Sequence, residues 1–90
     1  MNFTVEHFLK DAKHMLKIWE KDIAAIESGT YEYDNSMTKS SINALCYSKV
    51  RTYNDVIKYL ETLPSDLVIQ TNRGLTAEGC KYYELVNKLT

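Results

Sequence analysis

The 90-residue sequence has few cysteines, no long apolar run and almost no net charge, and each absence excludes a class of protein. Its two cysteines are not arranged as a CxxC pair, which favours a reduced, cytoplasmic protein over a disulfide-bonded secreted one. No stretch approaches 18 consecutive apolar residues, so no transmembrane helix is expected. The amino-terminal residues also lack the basic start and unbroken apolar run of a signal peptide.

Catalytic and metal-binding patterns are absent too. The sequence has no glycine-rich phosphate loop, no recognisable carboxylate pair and no Ser/His/Asp or Cys/His set, so we do not expect an enzyme or a cofactor. His7 and His14 lie seven residues apart with Asp11 between them, but both histidines fall on the polar side of a predicted helix. A closed zinc site needs four ligands, and no cysteine lies nearby, so no metal is expected either.

Charge is distributed unevenly along the chain. The net charge of −1 argues against an indiscriminate polyanion binder. Residues 1–34 hold four lysines against seven acidic residues, whereas residues 35–90 hold seven basic residues against five acidic ones. The sequence therefore places its mild positive charge in the second part of the chain.

The amino-terminal element is a long amphipathic helix from about Thr4 to Glu27. Its apolar residues recur every three or four positions, and Gly29 suits the left-handed end of a helix. This apolar seam is able to pair with its copy in a second chain or to pack on the rest of the domain, and both alternatives stay open. The seam contains Val5, Leu9, Ala12, Leu16, Trp19, Ile23 and Ile26, and the predicted homodimer interface consists of Leu9, Leu16, Trp19 and Ile23.

The remaining residues predict one strand, two short helices, a hairpin and a last helix. A short strand is expected at Thr30–Tyr33. Thr52, with Asp55 three residues later, is typical of a helix start, and Pro64 follows the end of that helix. The predicted segments are a helix at 38–48, a second helix at 52–63, a minimal hairpin at 67–75 and a final helix at 76–90 that Thr76 begins.

This order of elements resembles the winged helix-turn-helix family of small prokaryotic, archaeal or viral regulators. The run LCYSKVRTYNDVIKYLETL, from Leu45 to Leu63, is similar to the helix-turn-helix of that family, and Leu75–Gly79, LTAEG, is similar to the LTxxG that follows the wing. The sequence departs from the family where Pro64-Ser65-Asp66 replaces a glycine and Leu-Ile, and where the wing is very short. The expected fold class is therefore mainly α with a small β-hairpin, a winged helix-turn-helix of residues 38–63 behind a long amphipathic amino-terminal helix.

The resemblance implies sequence-specific binding of double-stranded DNA by a transcriptional regulator, with the helix Thr52–Leu63 in the major groove. Asn54 is able to pair with adenine, and Asp55 is able to accept from cytosine or simply to stabilise the helix start. Basic residues around that helix would neutralise phosphates. The expected DNA-binding residues are Lys49, Arg51, Thr52, Asn54, Asp55, Lys58 and Arg73.

A second function is open because a fold does not by itself establish DNA binding. A winged-helix-like chain of near-neutral charge, with a short wing and an acidic first helix, also suits a protein-interaction module. Such a module would be a small phage- or plasmid-type factor that binds and inhibits a host enzyme or regulator. A DNA binder should gather Lys49, Arg51, Lys58 and Arg73 around Asn54, whereas a protein binder should expose a contiguous apolar patch, for example Phe8, Met15 and Trp19.

Overall fold

The computed structural model describes residues 2–34 and 36–87 and contains three helices and a three-stranded antiparallel sheet. The prediction of a mainly helical chain with a small hairpin is confirmed. Within the described residues, no helix is both long enough and apolar enough to cross a membrane. The elements are β1 (Phe3–Thr4), α1 (Val5–Ser28), α2 (Lys39–Glu61), β2 (Val68–Thr71), β3 (Gly74–Leu75) and α3 (Ala77–Asn87).

Helix α1 begins and ends where the sequence predicts. Thr4 occupies the position before the first helical residue in an extended conformation, although its side chain does not cap the helix. Gly29 has a φ of 77°, and its amide donates to carbonyls of the last turn, at Ala25 and Ile26. Glycine adopts this left-handed conformation without the steric penalty of a Cβ, so the helix ends there.

Helix α2 corrects the prediction of a helix-turn-helix at 38–63. One continuous helix of 23 residues begins after Thr38, whose side chain accepts a hydrogen bond from the Ser41 amide. Residues 48–51, where the turn was expected, contain neither glycine nor proline, so nothing interrupts the backbone hydrogen bonds there. The three- and four-residue apolar spacing also continues through this segment, from Ile42 and Cys46 to Val56 and Leu60.

The sheet differs from the prediction in two strands. The strand predicted at Thr30–Tyr33 is wrong, because residues 30–34 are irregular and pair with none of the described strands. The sheet instead recruits β1, which pairs with β2 so that Phe3 lies opposite Gln70. A two-residue strand has too little pattern to be recognised from sequence alone.

The predicted hairpin and the start of the last helix are confirmed. Strands β2 and β3 pair antiparallel, with Gln70 opposite Leu75. The Thr76 hydroxyl lies 3.0 Å from the carbonyl oxygens of Val68 and Ile69 and accepts from the Gly79 amide at 3.2 Å. This side chain therefore both starts α3 and fastens it to β2. Helix α3 is described to Asn87, and the last three residues of the predicted helix at 76–90 lie outside the described residues.

The hydrophobic core occupies one end of the molecule, which we call the base. There the first three turns of α1 and the last turns of α2 pack with the sheet and α3. The core residues are Val5, Ala12, Val56, Leu60, Ile69 and Tyr82.

The other end, which we call the arm, consists of residues 15–28 of α1, the connecting loop and residues 39–50 of α2. Of its described residues, only Ile42 and Cys46 are buried. The molecule is accordingly elongated, at 43 × 20 × 20 Å, and its radius of gyration is 15.3 Å. A compact domain of this length would have a radius of gyration of about 12 Å.

Candidate functional site

Three of the residues predicted to contact DNA form an exposed stripe on the outer side of α2. Arg51, Asn54 and Lys58 follow one another at three- and four-residue spacing, and all three side chains are exposed. Residues at this spacing lie on the same side of a helix. Asp55 and Glu61 are exposed beside them, so the stripe carries both signs of charge and no net positive charge.

Two other residues predicted to contact DNA lie apart from this stripe because of where α2 places them. Thr52 is 9% exposed and lies in the middle of the helix, so it does not cap a helix. Lys49 is half-buried and lies roughly 160° around the helix from Arg51. A single continuous helix thus turns these two residues away from the surface that bears Asn54.

Arg73 lies on a different element, in the turn between β2 and β3. Its side chain is exposed, and its backbone amide donates to the Thr71 hydroxyl at 3.1 Å. No contact among the described residues joins Arg73 to α2. The gathering of four basic side chains around Asn54 that a DNA-reading surface requires is therefore not present in the described structure.

A lysine-rich stripe that was not predicted follows the outer side of α1. Four lysines recur there at three- and four-residue spacing, all of them exposed and none in an ion pair with a described residue. The helical spacing of these lysines is visible in the sequence. The stripe was not predicted because residues 1–34 contain more acidic than basic residues. The stripe consists of Lys10, Lys13, Lys17 and Lys21.

The arm exposes apolar side chains. Of the large hydrophobic residues that are at least 36% exposed in the described structure, four belong to the arm. Leu45 is the most informative, because its spacing from Cys46 and Ile42 predicts an inward position, yet it is 36% exposed. None of the described residues that form or pack on the core cluster belongs to the arm. The four are Ile18 (42%), Met37 (46%), Leu45 (36%) and Tyr47 (44%).

The seam predicted to form a homodimer faces α2 of the same chain. Leu9, Leu16, Trp19 and Ile23 are all half-buried, and α1 packs along α2 over much of its length. Leu9 belongs to the shell that packs on the core. The alternative in which the seam lies on the rest of its own domain accounts for this burial, and the homodimer stays a prediction. The patch of Phe8, Met15 and Trp19 is likewise half-buried, and Phe8 packs against Tyr82 with ring centroids 4.8 Å apart.

The interior of the arm contains a buried thiol and a buried indole nitrogen. Burial raises the pKa of the Cys46 thiol, and the nearby Asp22 carboxylate raises it further. A raised pKa disfavours the thiolate, and at 1% exposure Cys46 is a buried residue of the arm. The buried indole nitrogen of Trp19 has no acceptor among the described residues.

No ligand set or known relative assigns a function to this arrangement. Within residues 2–34 and 36–87, no group of three or more His, Cys, Asp or Glu side chains is placed to hold a metal ion. No protein-family model, curated protein or solved structure matches the chain.

Proposed function

We propose that this chain is a protein-interaction module that binds its partner through the arm. The observation that carries the proposal is the exposure of Ile18, Met37, Leu45 and Tyr47 on a part of the molecule that contributes nothing to the core cluster. Leu45 and Tyr47 are two residues apart on α2, roughly 160° around the helix, so the exposed apolar side chains lie on more than one side of the arm. Large apolar side chains left exposed at one end of a folded protein mark a candidate interaction site.

The architecture explains why the arm carries such a surface. A helix buries its apolar stripe against another layer, and stable domains supply enough layers to cover every stripe. At the base, the sheet and α3 provide the additional layer over α1 and α2. In the arm the two helices have only each other and the connecting loop, so a partner would complete the missing layer.

The distribution of charge supports a protein partner over duplex DNA. The lysine stripe lies on α1 and the Arg51–Lys58 stripe lies on α2, so the exposed basic residues are shared between two helices. DNA binding depends on basic side chains that converge on the phosphate backbone, and this arrangement divides them.

The experiment is a pull-down from an extract of the native host with three forms of the immobilised protein. The arm variant is Ile18→Lys combined with Leu45→Lys, and the matched control is Leu75→Lys, because Leu75 is 41% exposed but lies in the hairpin. We expect a protein that the wild type and the control retain and the arm variant loses. Equal retention by all three forms, or no retained protein, would contradict the proposal. Light scattering of the purified chain identifies the case in which the partner is a second copy.

A second candidate function is DNA binding by the outer side of α2. The observation that favours it is that Arg51, Asn54 and Lys58 share one exposed stripe on the helix that directly precedes the hairpin, as the winged-helix resemblance implies. Asn54 would read adenine in the major groove, and the two basic residues would hold phosphates. This candidate function does not require Thr52 or Lys49 to contact DNA.

Fluorescence anisotropy with pooled random duplexes, at several salt concentrations, tests this candidate. Lys58→Ala should weaken binding to all sequences alike, whereas Asn54→Ala should lose about 1 to 3 kcal/mol at one base position. Lys81→Ala on α3 is the control for charge alone, since Lys81 is also exposed. Absence of binding at low salt, or equal effects of all three substitutions, would reject DNA reading by α2.

A further inference from the structure

A cleft at the base lies where β1, α1, β2 and α3 meet, on a different part of the molecule from the arm. Its volume is about 310 Å³, which is near the lower limit for small-molecule sites. The pairing of β1 with β2 creates it, because Phe3 and Gln70 lie opposite each other in the sheet and their side chains share one face. The lining consists of Phe3, His7, Phe8, Asp11, Gln70 and Tyr83.

Three aromatic rings line this cleft, and two of them contact the third edge to face. The centroids of Phe3 and Phe8 are 6.3 Å apart, with an angle of 68° between the ring planes. Phe8 and Tyr83 are 6.2 Å apart at 81°. Phe8 is thus the central wall, and Phe3 and Tyr83 contact it edge to face. Aromatic rings carry negative faces and positive edges, so three rings lining one cleft make it a candidate site for a group that gains from ring faces.

The polar side chains of the cleft add one fixed negative charge. Asp11 is the only acidic residue in the lining, which contains no lysine or arginine. Its carboxylate is exposed and has no hydrogen bond or ion pair with a described residue. The Gln70 side chain likewise has no partner among the described residues, so its amide oxygen is available to accept. His7 is held near Thr4, with its Nδ1 3.4 Å from the threonine hydroxyl oxygen.

We infer that this cleft binds an organic cation, an alkylammonium group that enters between the rings of Phe3, Phe8 and Tyr83 and pairs with the Asp11 carboxylate. A cation gains from the negative faces of aromatic rings. The Asp11 carboxylate attracts a cation but offers no such attraction to a neutral ligand. Substituted ammonium groups suit the site better than a bare metal ion, because most of the lining is apolar carbon. The inference does not depend on the proposed function of the arm.

The test is a titration of the ¹⁵N-labelled protein, followed through the amide resonances of Phe3, His7, Asp11 and Gln70. The first probe is choline, and the matched neutral probe is 3,3-dimethylbutanol, in which carbon replaces the charged nitrogen at nearly the same shape. We expect both to shift the cleft resonances, with the alcohol binding at least about threefold more weakly. Equal affinity for the two probes, or no shift of cleft resonances up to about 50 mM of choline, would overturn the inference.

Substitutions distinguish the contribution of the Asp11 carboxylate to binding from that of the aromatic rings. Asp11→Asn should weaken choline binding about three- to tenfold and leave the alcohol unaffected, whereas Glu20→Gln, on the same helix but outside the cleft, should change neither. Phe3→Leu should weaken choline more than the alcohol, and it is not expected to unfold the chain because Phe3 is 36% exposed. An Asp11→Asn variant that binds choline as the wild type does would contradict the assignment.

The same ammonium chemistry exists in free metabolites and in lysine side chains of proteins. A capped Gly-Lys-Gly peptide serves as the second cationic probe, and a capped Gly-norleucine-Gly peptide as its neutral match. Tighter binding of the lysine peptide than of choline assigns the cleft to a protein side chain, and the reverse order assigns it to a free ammonium compound. Either order supports a cation site, provided that each cationic probe binds more tightly than its neutral match; equal affinity within either pair rejects it.

Discussion

The base and the arm are built from the same two helices, but their side chains are buried to very different extents. At the base, Val56, Leu60 and Ile69 are fully buried, because the sheet and α3 cover both helices. In the arm Leu45 repeats the spacing of an interior residue and remains 36% exposed. The amphipathic pattern of a helix therefore determines which face is apolar, and the number of layers around it determines whether that face is buried.

This difference assigns separate tasks to the two ends. The base supplies the free energy of folding through its buried apolar surface. The arm contributes less burial per residue and leaves an apolar surface available for a partner.

Removal of a core side chain at the base should have the largest effect. Leu60→Ala should lower the free energy of unfolding by about 2 to 5 kcal/mol, because Leu60 is 0% exposed and its loss leaves a cavity. Leu45→Ala, the same change in the arm, should lower it by less than about 1 kcal/mol. Urea unfolding measures both. Equal losses would show that the arm is as well packed as the base and would remove the distinction.

A substitution at the contact between α3 and β2 should lower the free energy of unfolding nearly as much. A Cβ at Gly79 would lie 3.1 Å from Cγ2 of Ile69 and closer still to the Ile69 carbonyl oxygen. Gly79→Ala should therefore lower the free energy of unfolding by about 1 to 3 kcal/mol, although alanine is the better helix former. Cys80→Ala, at an exposed neighbouring position, is the control and should be nearly neutral. A stabilised Gly79→Ala variant, read from its thermal midpoint, would show that α3 does not approach β2 this closely.

The pH dependence of stability should report the burial of Tyr82. Burial raises the pKa of Tyr82 to about 12, from an ordinary value of 10.0. Because the neutral phenol is favoured in the folded state, this stabilisation is complete below pH 10 and is lost as the pH rises through 12. We expect a loss of about 1 to 2 kcal/mol over that interval.

Tyr82→Phe should remove this part of the pH dependence, since phenylalanine does not ionise. Urea titrations of both forms at several pH values between 9 and about 12 measure the difference. Parallel curves for wild type and variant would mean that the phenol is as well solvated in the folded chain as in the unfolded one.

The smallest effect is expected at the surface of the arm. Tyr47 donates to a carboxylate oxygen of Glu27 at 3.0 Å, and this hydrogen bond joins α2 to α1. It is exposed to water, so Tyr47→Phe should change the free energy of unfolding by no more than about 0.5 kcal/mol. Calorimetry of the variant measures the change. A loss of several times that size would indicate that the two helices of the arm depend on this bond.

The sequence predicted the elements whose ends are marked by local chemistry. Gly29 ends α1, Thr38 precedes α2, and Thr76 begins α3 after the hairpin. In each case a side chain or a backbone preference within one turn determines the boundary. These signals involve residues that are close together in the chain, so a single sequence is enough to recognise them.

The errors occurred where tertiary contacts or competing signals decide the outcome. Thr52 and Asp55 resemble a helix start, but the apolar period continues through them and Thr52 is buried within α2. Phe3 becomes part of a strand only because β2 passes beside it. The cleft follows from that pairing, so its members are scattered along the sequence, from Phe3 to Tyr83, without a local pattern.

Native-state hydrogen exchange, measured residue by residue by NMR, tests the contrast between base and arm most directly. Amides of core helix residues at the base, such as Ala12, Val56 and Leu60, should exchange only with global unfolding. Amides in the arm, such as those of Leu16, Ile23 and Ile42, should open with a smaller free energy, while those of residues 49–52 should still be protected by the continuous helix. Uniform protection at both ends of the isolated chain, or fast exchange confined to residues 49–52, would contradict this account.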